Sequence, residues 1–266
     1  MAILAISREY GAGGRDIGRL VAKRLSYTYV DKERLFQDLD HLGQRWGQTA
    51  RALDEVCPTF WERHDWQYQG YMAALESLIF DYAEGDRVVL IGRGAFILLA
   101  EIPFCLKVRL VAPPEVRVER LMVRESLDRE RAQELMVRVD HDRACYLKVN
   151  YGADWEKQNL YDLVLNTGSL SYEQAADLLV QELRAKDQLA TPAALIRLAD
   201  LALARRLRAR IATDPRLNVP TLTVQVQDGV LVVTGVIHTP KELNLVQEIA
   251  RTVCGSREVR IDVRHR

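Results

Sequence analysis

The 266-residue chain carries no excess of charge of either sign, and it has no long apolar run. Its 37 basic and 37 acidic side chains cancel, so the net charge would not attract nucleic acid, and we expect no nucleic-acid partner. No stretch approaches the roughly 18 consecutive apolar residues that a transmembrane helix needs. The opening residues reach Arg8 and Glu9 too soon for a signal-peptide core, and they lack its basic start. The expectation is a cytoplasmic protein.

Cysteine and histidine are scarce, and their spacing indicates no metal site. The four cysteines, at positions 57, 105, 145 and 254, form no CxxC pair and no zinc-type spacing. Cys105 and Cys254 lie in apolar stretches and are expected to be buried thiols, while the reducing cytosol disfavours structural disulfides. The five histidines are scattered. We therefore predict no metal held by a side-chain cluster, and no Ser-His-Asp or Cys-His nucleophile.

Short apolar runs alternate with helical patterns along the first part of the chain. This alternation predicts an α/β domain in which helices cover both faces of a parallel sheet. Such sheets bind ligands at the carboxyl ends of their strands. Strands are predicted over 2–7, 27–30, 87–91, 106–111 and 163–166, with helical patterns over 15–25, 32–84, 115–148 and 171–185. The polar residues that follow these strands, and so point to a single site, are Arg8, Asp31, Arg93 and Asn166.

The pattern changes around residues 186–192. A helix over 193–212 is followed by strands over 222–227 and 230–236, and Asp228-Gly229 between them is a strong hairpin signal. A helix over 240–253 and a strand over 258–263 complete a small α+β unit with the order αββαβ. We predict two domains, 1–187 and 188–266.

A glycine-rich loop joins the first strand to the first helix, in the string SREYGAGGRDIG. Such a loop can present backbone N–H groups and the positive end of a helix to a phosphate. The Walker A pattern, GxxxxGK[ST], is altered in this chain. In one register Gly14 replaces the lysine and Arg15 the hydroxyl; in the next, Arg15 replaces the lysine and Asp16 the hydroxyl. A tight glycine turn that binds nothing is the alternative.

The full string resembles the opening of the cytidylate-kinase-like family of P-loop nucleoside-monophosphate kinases. The resemblance implies a three-layer parallel sheet with a helical lid and acceptor region, and a loop that binds ATP together with Mg²⁺. Arg15 or Arg8 would stand in for the lysine, Arg15 as a catalytic charge. The nucleotide-binding residues implied are Arg8, Tyr10, Gly11, Ala12, Gly13, Gly14, Arg15 and Asp16.

Residues 88–94, VVLIGRG, resemble the strand and Gly-Arg-Asp turn of the same family. The resemblance implies that Arg93 contacts the acceptor monophosphate. Gly94 replaces the family's aspartate, which puts cytosine selectivity in doubt. Asp31 ends the second strand, as an aspartate does in the family; it would help hold Mg²⁺ or orient a hydroxyl, or it would merely cap a helix.

Residues 106–120 and 138–146 resemble the approach to the lid and the lid itself. They imply Arg138 and Arg143 as catalytic charges and Asp142 on the acceptor side. The remaining arginines between 117 and 131 are interleaved with acidic residues, so we expect them to be structural. The aromatic residues between Phe60 and Tyr71 are expected to pack a helical subdomain rather than to stack on a base.

The C-terminal hairpin, with Gly229, Leu231, Val233 and Gly235, and the later Gly255 resemble a BON domain over about residues 195–264. BON domains are linked to envelope or phospholipid binding. Without an export signal, a ligand-sensing or dimerising role fits this chain better than membrane contact, and a homo-oligomer is compatible with it.

Three functions follow. The leading one transfers the γ-phosphate of ATP to a (deoxy)cytidylate-like monophosphate or a related small acceptor. The second is a catalytically weak or inactive nucleotide sensor with a regulatory BON domain. The third is a BON-mediated interaction or membrane adaptor.

Overall fold

Five parallel strands form one sheet in the order β2-β3-β1-β4-β5. The structure is a computed structural model of the chain, and it describes residues 2–52, 55–219 and 221–265. The central strands are apolar and almost wholly buried, as expected where helices cover both faces of a sheet. The strands are β1 (Ile3–Arg8), β2 (Thr28–Val30), β3 (Val88–Ile91), β4 (Cys105–Val111) and β5 (Leu163–Asn166). All five lie where the apolar runs predict them.

Helices connect the strands, and the first and ninth of them pack against the sheet. Apolar residues of the first and ninth helices, such as Ile17, Val21 and Leu179, share one core with the buried faces of β1, β3 and β4. The helices of this part are α1 (Gly14–Leu25), α2 (Lys32–Leu42), α3 (Gln44–Ala52), α4 (Phe60–His64), α5 (Trp66–Glu84), α6 (Ala95–Leu98), α7 (Pro114–Glu125), α8 (Arg129–Tyr151) and α9 (Tyr172–Lys186).

The single helical pattern predicted over 115–148 is two helices, and this corrects the sequence interpretation. Ser126 ends α7 in the left-handed conformation, with φ 54°. Asp128 then starts α8, because its side chain accepts a hydrogen bond from the N–H of Arg131.

The C-terminal elements form a second, three-stranded sheet, and they confirm the predicted αββαβ order. Strands β6 (Thr223–Gln227) and β7 (Val230–Ile237) are antiparallel, and β8 (Val259–His265) pairs parallel to β7. Asp228 and Gly229, at φ 51° and 79°, supply the two positive φ angles of the hairpin turn. The helices are α10 (Pro192–Thr213) and α11 (Pro240–Cys254).

The chain forms two compact units. One comprises Met1–Leu35, Leu53–Pro58 and Gly85–Thr191; the other comprises Phe36–Ala52, Thr59–Glu84 and Pro192–Arg266. This grouping differs from the division at 187/188, which follows the sequence alone and stays a prediction. Across the described ranges, no helix is long and apolar enough to cross a membrane.

Two of the four cysteines form a disulfide, and this contradicts the expectation that there would be none. Cys57 and Cys145 are bonded, with their Cα atoms 5.1 Å apart, although 88 positions separate them in the sequence. Sequence reasoning missed the pair because only the fold brings these positions together. Cys105 and Cys254 are buried free thiols, as predicted. Burial raises the pKa of the Cys105 thiol to about 12.

Candidate phosphate-binding site

The loop between β1 and α1 has the backbone geometry of an anion site. Gly11 and Gly13 adopt φ angles of 87° and 81°, which other residues rarely reach. The first hydrogen bond of α1 runs from the N–H of Ile17 to the carbonyl of Gly13. The N–H groups of the first turn, residues 14–16, therefore have no partner within the helix, and the helix dipole adds positive potential there.

Side chains fix the shape of this loop by binding its carbonyl oxygens. Donors from α7, from α8 and from the residue that follows β5 reach four carbonyl oxygens between positions 8 and 12, and each bond is 3.0–3.3 Å long. The sequence interpretation of the α7 arginines as merely structural therefore needs refining, because two of them support the loop directly. The bonds are Arg143 to the carbonyl of Arg8, Arg117 to Tyr10, Arg120 to Gly11, and Thr167 to Ala12.

Two of the predicted loop amides are already engaged. The N–H of Tyr10 donates to Asp140 at 2.8 Å, and the N–H of Ala12 donates to the carbonyl of Glu9 at 3.2 Å. Asp140 also pairs with Arg117. The amides that remain for a ligand are those at the glycines and at the start of α1.

Three arginines converge on one carboxylate beside the loop. Glu55 accepts a two-pronged bond from Arg8, at 3.1 and 3.0 Å, and a bond from Nε of Arg143 at 3.0 Å. The backbone N–H of Arg93 donates to it at 2.9 Å, and the Arg93 guanidinium lies 3.2 Å away. Arg8 and Arg93 follow neighbouring strands β1 and β3, so the cluster lies at the carboxyl edge of the sheet, as predicted.

The cluster is buried. The side chains of Glu55, Arg8, Arg93 and Arg143 are between 1% and 14% exposed. Three guanidinium groups therefore meet at the carboxylate of Glu55 with little access to water. Burial raises the pKa of Glu55, but the charges of Arg8, Arg93 and Arg143 outweigh burial, and that pKa lies well below its usual value.

Arg143 shows the cost of this crowding. Burial, followed by the neighbouring charge of Arg8, lowers its pKa to about 10, although Glu55 and Asp140 act in the opposite direction. A site that places cations together in a buried pocket, against their mutual repulsion, is suited to bind an anion. Arginine forks bind phosphate, as they bind carboxylate, through two parallel hydrogen bonds.

The turn after β3 explains why the family's aspartate is missing. Gly92, Arg93 and Gly94 all adopt positive φ angles, at 77°, 56° and 73°. A Cβ atom at Gly94 would lie 2.4 Å from the ring of Tyr151. Tyr151 therefore occupies the space that an aspartate side chain would need.

The predicted residues on the α1 side lie near one another but outside the arginine cluster. Arg15 pairs with Glu33 at 2.8 Å and is half exposed, so it does not lie over the loop as a lysine substitute would. Asp16 is exposed on the first turn of α1. Asp31 caps α2 by accepting from the N–H of Arg34 at 3.3 Å, which realises the structural alternative considered for it.

Two predicted lid residues do not join the cluster. Arg138 is exposed on α8, along a shallow groove lined by Val137 and His141. Asp142 lies 3.8 Å from the ring of its neighbour His141. Asp140, two positions earlier, is the aspartate of α8 that contacts the loop. The roles predicted for Arg138 and Asp142 stay predictions.

Sequence reasoning missed Glu55, Asp140 and the loop-supporting roles of Arg117 and Arg120. Glu55 lies in an irregular stretch between α3 and α4, where no periodic pattern indicates a role. The interleaved charges of α7 and α8 conceal which arginines face the loop. The aromatic prediction is right for Tyr68 and Tyr71, which are buried, but Phe60 and Trp61 are 63% and 80% exposed.

Comparison with known proteins places this geometry in a family. Residues 3–169, more than half of the chain, match the cytidylate kinase-like family. The chain belongs to the cytidylate kinase-like family. Residues 199–264 match the BON domain. Both resemblances predicted from the sequence are confirmed, and so is the predicted fold class.

Individual relatives agree with this assignment. The cytidylate kinase of Methanopyrus kandleri is 36% identical over 185 residues, which cover 66% of this chain and 90% of that enzyme. A stretch of 99 residues is 34% identical to a uronate isomerase of Corynebacterium glutamicum, but this chain spans only 19% of that protein, and nothing about its activity follows. An uncharacterized protein from Eubacterium ventriosum shares the fold, with a TM-score of 0.55 at 21% identity over 70% of this chain and 99% of that one. For this member of the cytidylate kinase-like family, the relatives support a nucleotide kinase.

Proposed function

We propose that the protein transfers the γ-phosphate of ATP to a (deoxy)cytidylate-like monophosphate or to a related small phosphate-bearing acceptor. The observation that carries the proposal is the buried cluster of Arg8, Arg93 and Arg143 beside the glycine-rich loop. The name of the Methanopyrus relative supports the class of acceptor.

The chemistry asks the protein for positioning and charge neutralisation rather than for a nucleophile. The loop amides at the start of α1 would hold the donor phosphates. Arg93 and Arg8 would hold the acceptor phosphate. Arg143 contacts both the loop carbonyl of Arg8 and the cluster, so it would neutralise charge between donor and acceptor. The acceptor's phosphate oxygen attacks the γ-phosphorus directly, and ADP leaves.

Magnesium fits this site only as part of the ATP complex. Among the described residues, no three side chains of the ligating types gather into a metal site. Mg²⁺ is commonly held by one or two carboxylates together with the substrate's phosphates. Asp16, on the first turn of α1, would supply such a carboxylate, and the ion would supply charge neutralisation of the transferring phosphoryl group.

A second candidate is a nucleotide sensor with little or no turnover. Gly14 stands where the lysine is expected, and Arg15 is engaged with Glu33 rather than with the loop. The BON domain would then transmit the bound state. The cytoplasmic location, the homo-oligomer and the adaptor role remain predictions of the same kind.

Turnover separates the two candidates. The full chain is incubated with Mg-ATP and each nucleoside monophosphate in turn, and ADP formation is followed. The phosphotransferase proposal expects ADP release that depends on a pyrimidine monophosphate. Calorimetry that detects ATP binding without acceptor-dependent ADP supports the sensor, while absence of both binding and turnover overturns both candidates.

A further inference from the structure

The carboxylate of Glu55 makes the contacts that the acceptor phosphate is expected to make. Two N–H groups of Arg8, the amide and guanidinium of Arg93, and Nε of Arg143 all lie 2.9–3.2 Å from its two oxygens. A phosphate that is to bind these same donors must displace Glu55 from them.

The segment 55–58 is attached covalently to the same helix that Glu55 contacts. Cys57 lies two positions after Glu55, and Cys145 lies two positions after Arg143 on α8. The disulfide between them therefore joins the two segments that the Glu55–Arg143 ion pair joins. A tethered carboxylate has a high effective concentration at the arginines, so an external anion competes against it poorly.

The backbone at Glu55 indicates that this placement is imposed by its surroundings. Glu55 adopts φ 46°, in the left-handed region that residues other than glycine avoid. Such conformations persist where neighbouring contacts hold them, and they are typical of switch segments. The neighbouring contacts here are the three arginines and the disulfide.

We infer that Glu55 is an autoinhibitory occupant of the acceptor-phosphate position, and that the Cys57–Cys145 disulfide keeps it there until it is reduced. The inference deepens the proposed function and rests on it for the identity of the ligand. The reductant is a dithiol of the thioredoxin class. One of its thiolates attacks a sulfur of the disulfide, its second thiol resolves the mixed disulfide, and two electrons and two protons pass to Cys57 and Cys145.

Calorimetry with cytidine monophosphate as the probe tests the inference on the full chain. In the open form, Glu55 has left the arginines. If this form makes up a tenth or less of the oxidised protein, the oxidised protein binds cytidine monophosphate with an apparent Kd at least about tenfold weaker than that of the reduced protein. Cys145→Ser is expected to bind as the reduced wild type does, with or without oxidant. Glu55→Gln is expected to bind tightly even with the disulfide intact. Cys254→Ser, which removes a buried thiol outside the disulfide, should keep the full response to reduction.

The outcomes separate this inference from the proposed function. Equal affinity of oxidised, reduced and Glu55→Gln protein overturns the inference and leaves the function standing. If the monophosphate binds to no form, orthophosphate is tested by thermal shift; a stabilisation that requires reduction or Glu55→Gln supports the inference while the proposed acceptor fails. Absence of any anion effect overturns both. The wild-type comparison decides the matter even if a variant fails to fold, and alkylation with mass spectrometry reports the redox state in each sample.

Discussion

Two clusters of three arginines among the described residues differ in their surroundings. In the site cluster, Arg8, Arg93 and Arg143 all contact the carboxylate of Glu55 beside the glycine-rich loop. In the other compact unit, three arginines of α10 face three acidic residues of α5. Those pairs are Arg205 and Arg208 with Glu76, at 3.3 and 2.6 Å, and Arg206 with Asp81, at 2.6 Å, and with Glu84.

The difference separates binding from packing. The α10 cluster joins two helices of one compact unit through ion pairs. The site cluster holds buried cations at the carboxyl edge of the sheet, beside a loop with free amides, and an anion that binds there would stabilise the folded protein. Arginine content is the same in both places; the position beside the loop tells them apart. Substitutions in each cluster should therefore have effects on different measurements.

The largest effect is expected from Arg93→Ala. Arg93 is 1% exposed and contacts Glu55 through both its backbone and its side chain, so we assign it to the acceptor phosphate. Losing two charge-assisted hydrogen bonds to the acceptor phosphate, each worth about 2 kcal/mol, should lower kcat/KM for the monophosphate about a thousandfold. Steady-state kinetics of ADP formation measure this. Arg131→Ala, on the exposed surface of α8, is the matched control and should leave kcat/KM unchanged. A loss under threefold in Arg93→Ala contradicts the assignment.

Substitutions in the α10 cluster should change the stability of the protein rather than its activity. The double variant Arg205→Ala/Arg208→Ala leaves Glu76, whose side chain is 8% exposed, without the two partners described for it. Breaking such a buried arrangement should lower the free energy of unfolding by about 3 kcal/mol. Chemical denaturation measures this value. Affinity for ATP and for the monophosphate should stay as in the wild type; a loss of binding comparable to that of Arg93→Ala would erase the distinction between the clusters.

The sequence predicts the sheet and the arginines far better than their partners. Strand runs are local, and a residue that follows a strand lies at a known edge, which is why Arg8 and Arg93 could be named. Glu55 could not, because it returns to that edge through an irregular segment whose path depends on tertiary contacts. The resemblance to the lid motif indicates Asp142, whereas the structure brings Asp140 to the loop, because a motif gives positions along the chain but not their tertiary partners.

The pH dependence of stability tests whether Glu55 is held as an anion in the site cluster. Its pKa is lower in the folded than in the unfolded protein, so its carboxylate contributes stability that is present above the unfolded pKa and lost as pH falls through the folded one. The free energy of unfolding of wild type should exceed that of Glu55→Gln by about 2 kcal/mol at neutral pH without added anion. The difference should hold down to about pH 5 and shrink below the ordinary Glu pKa of about 4.3. Urea titrations at several pH values measure it. A difference that has already vanished at pH 5.5 means that Glu55 is not held as an anion.

The smallest effect concerns Gly94, the position where the family's aspartate is absent. Gly94→Asp places a Cβ atom 2.4 Å from the Tyr151 ring at φ 73°, and we expect it to lower the free energy of unfolding by about 2 kcal/mol. Gly152→Asp is the matched control, because Gly152 has a similar φ of 66° and nothing lies within 4 Å of its added Cβ. The control loses stability only through the strain of a positive φ at a residue with a side chain. The additional loss in the free energy of unfolding of Gly94→Asp therefore measures the contact with Tyr151. Equal losses would mean that the ring yields freely, and the missing aspartate would then need an explanation in the choice of acceptor rather than in packing.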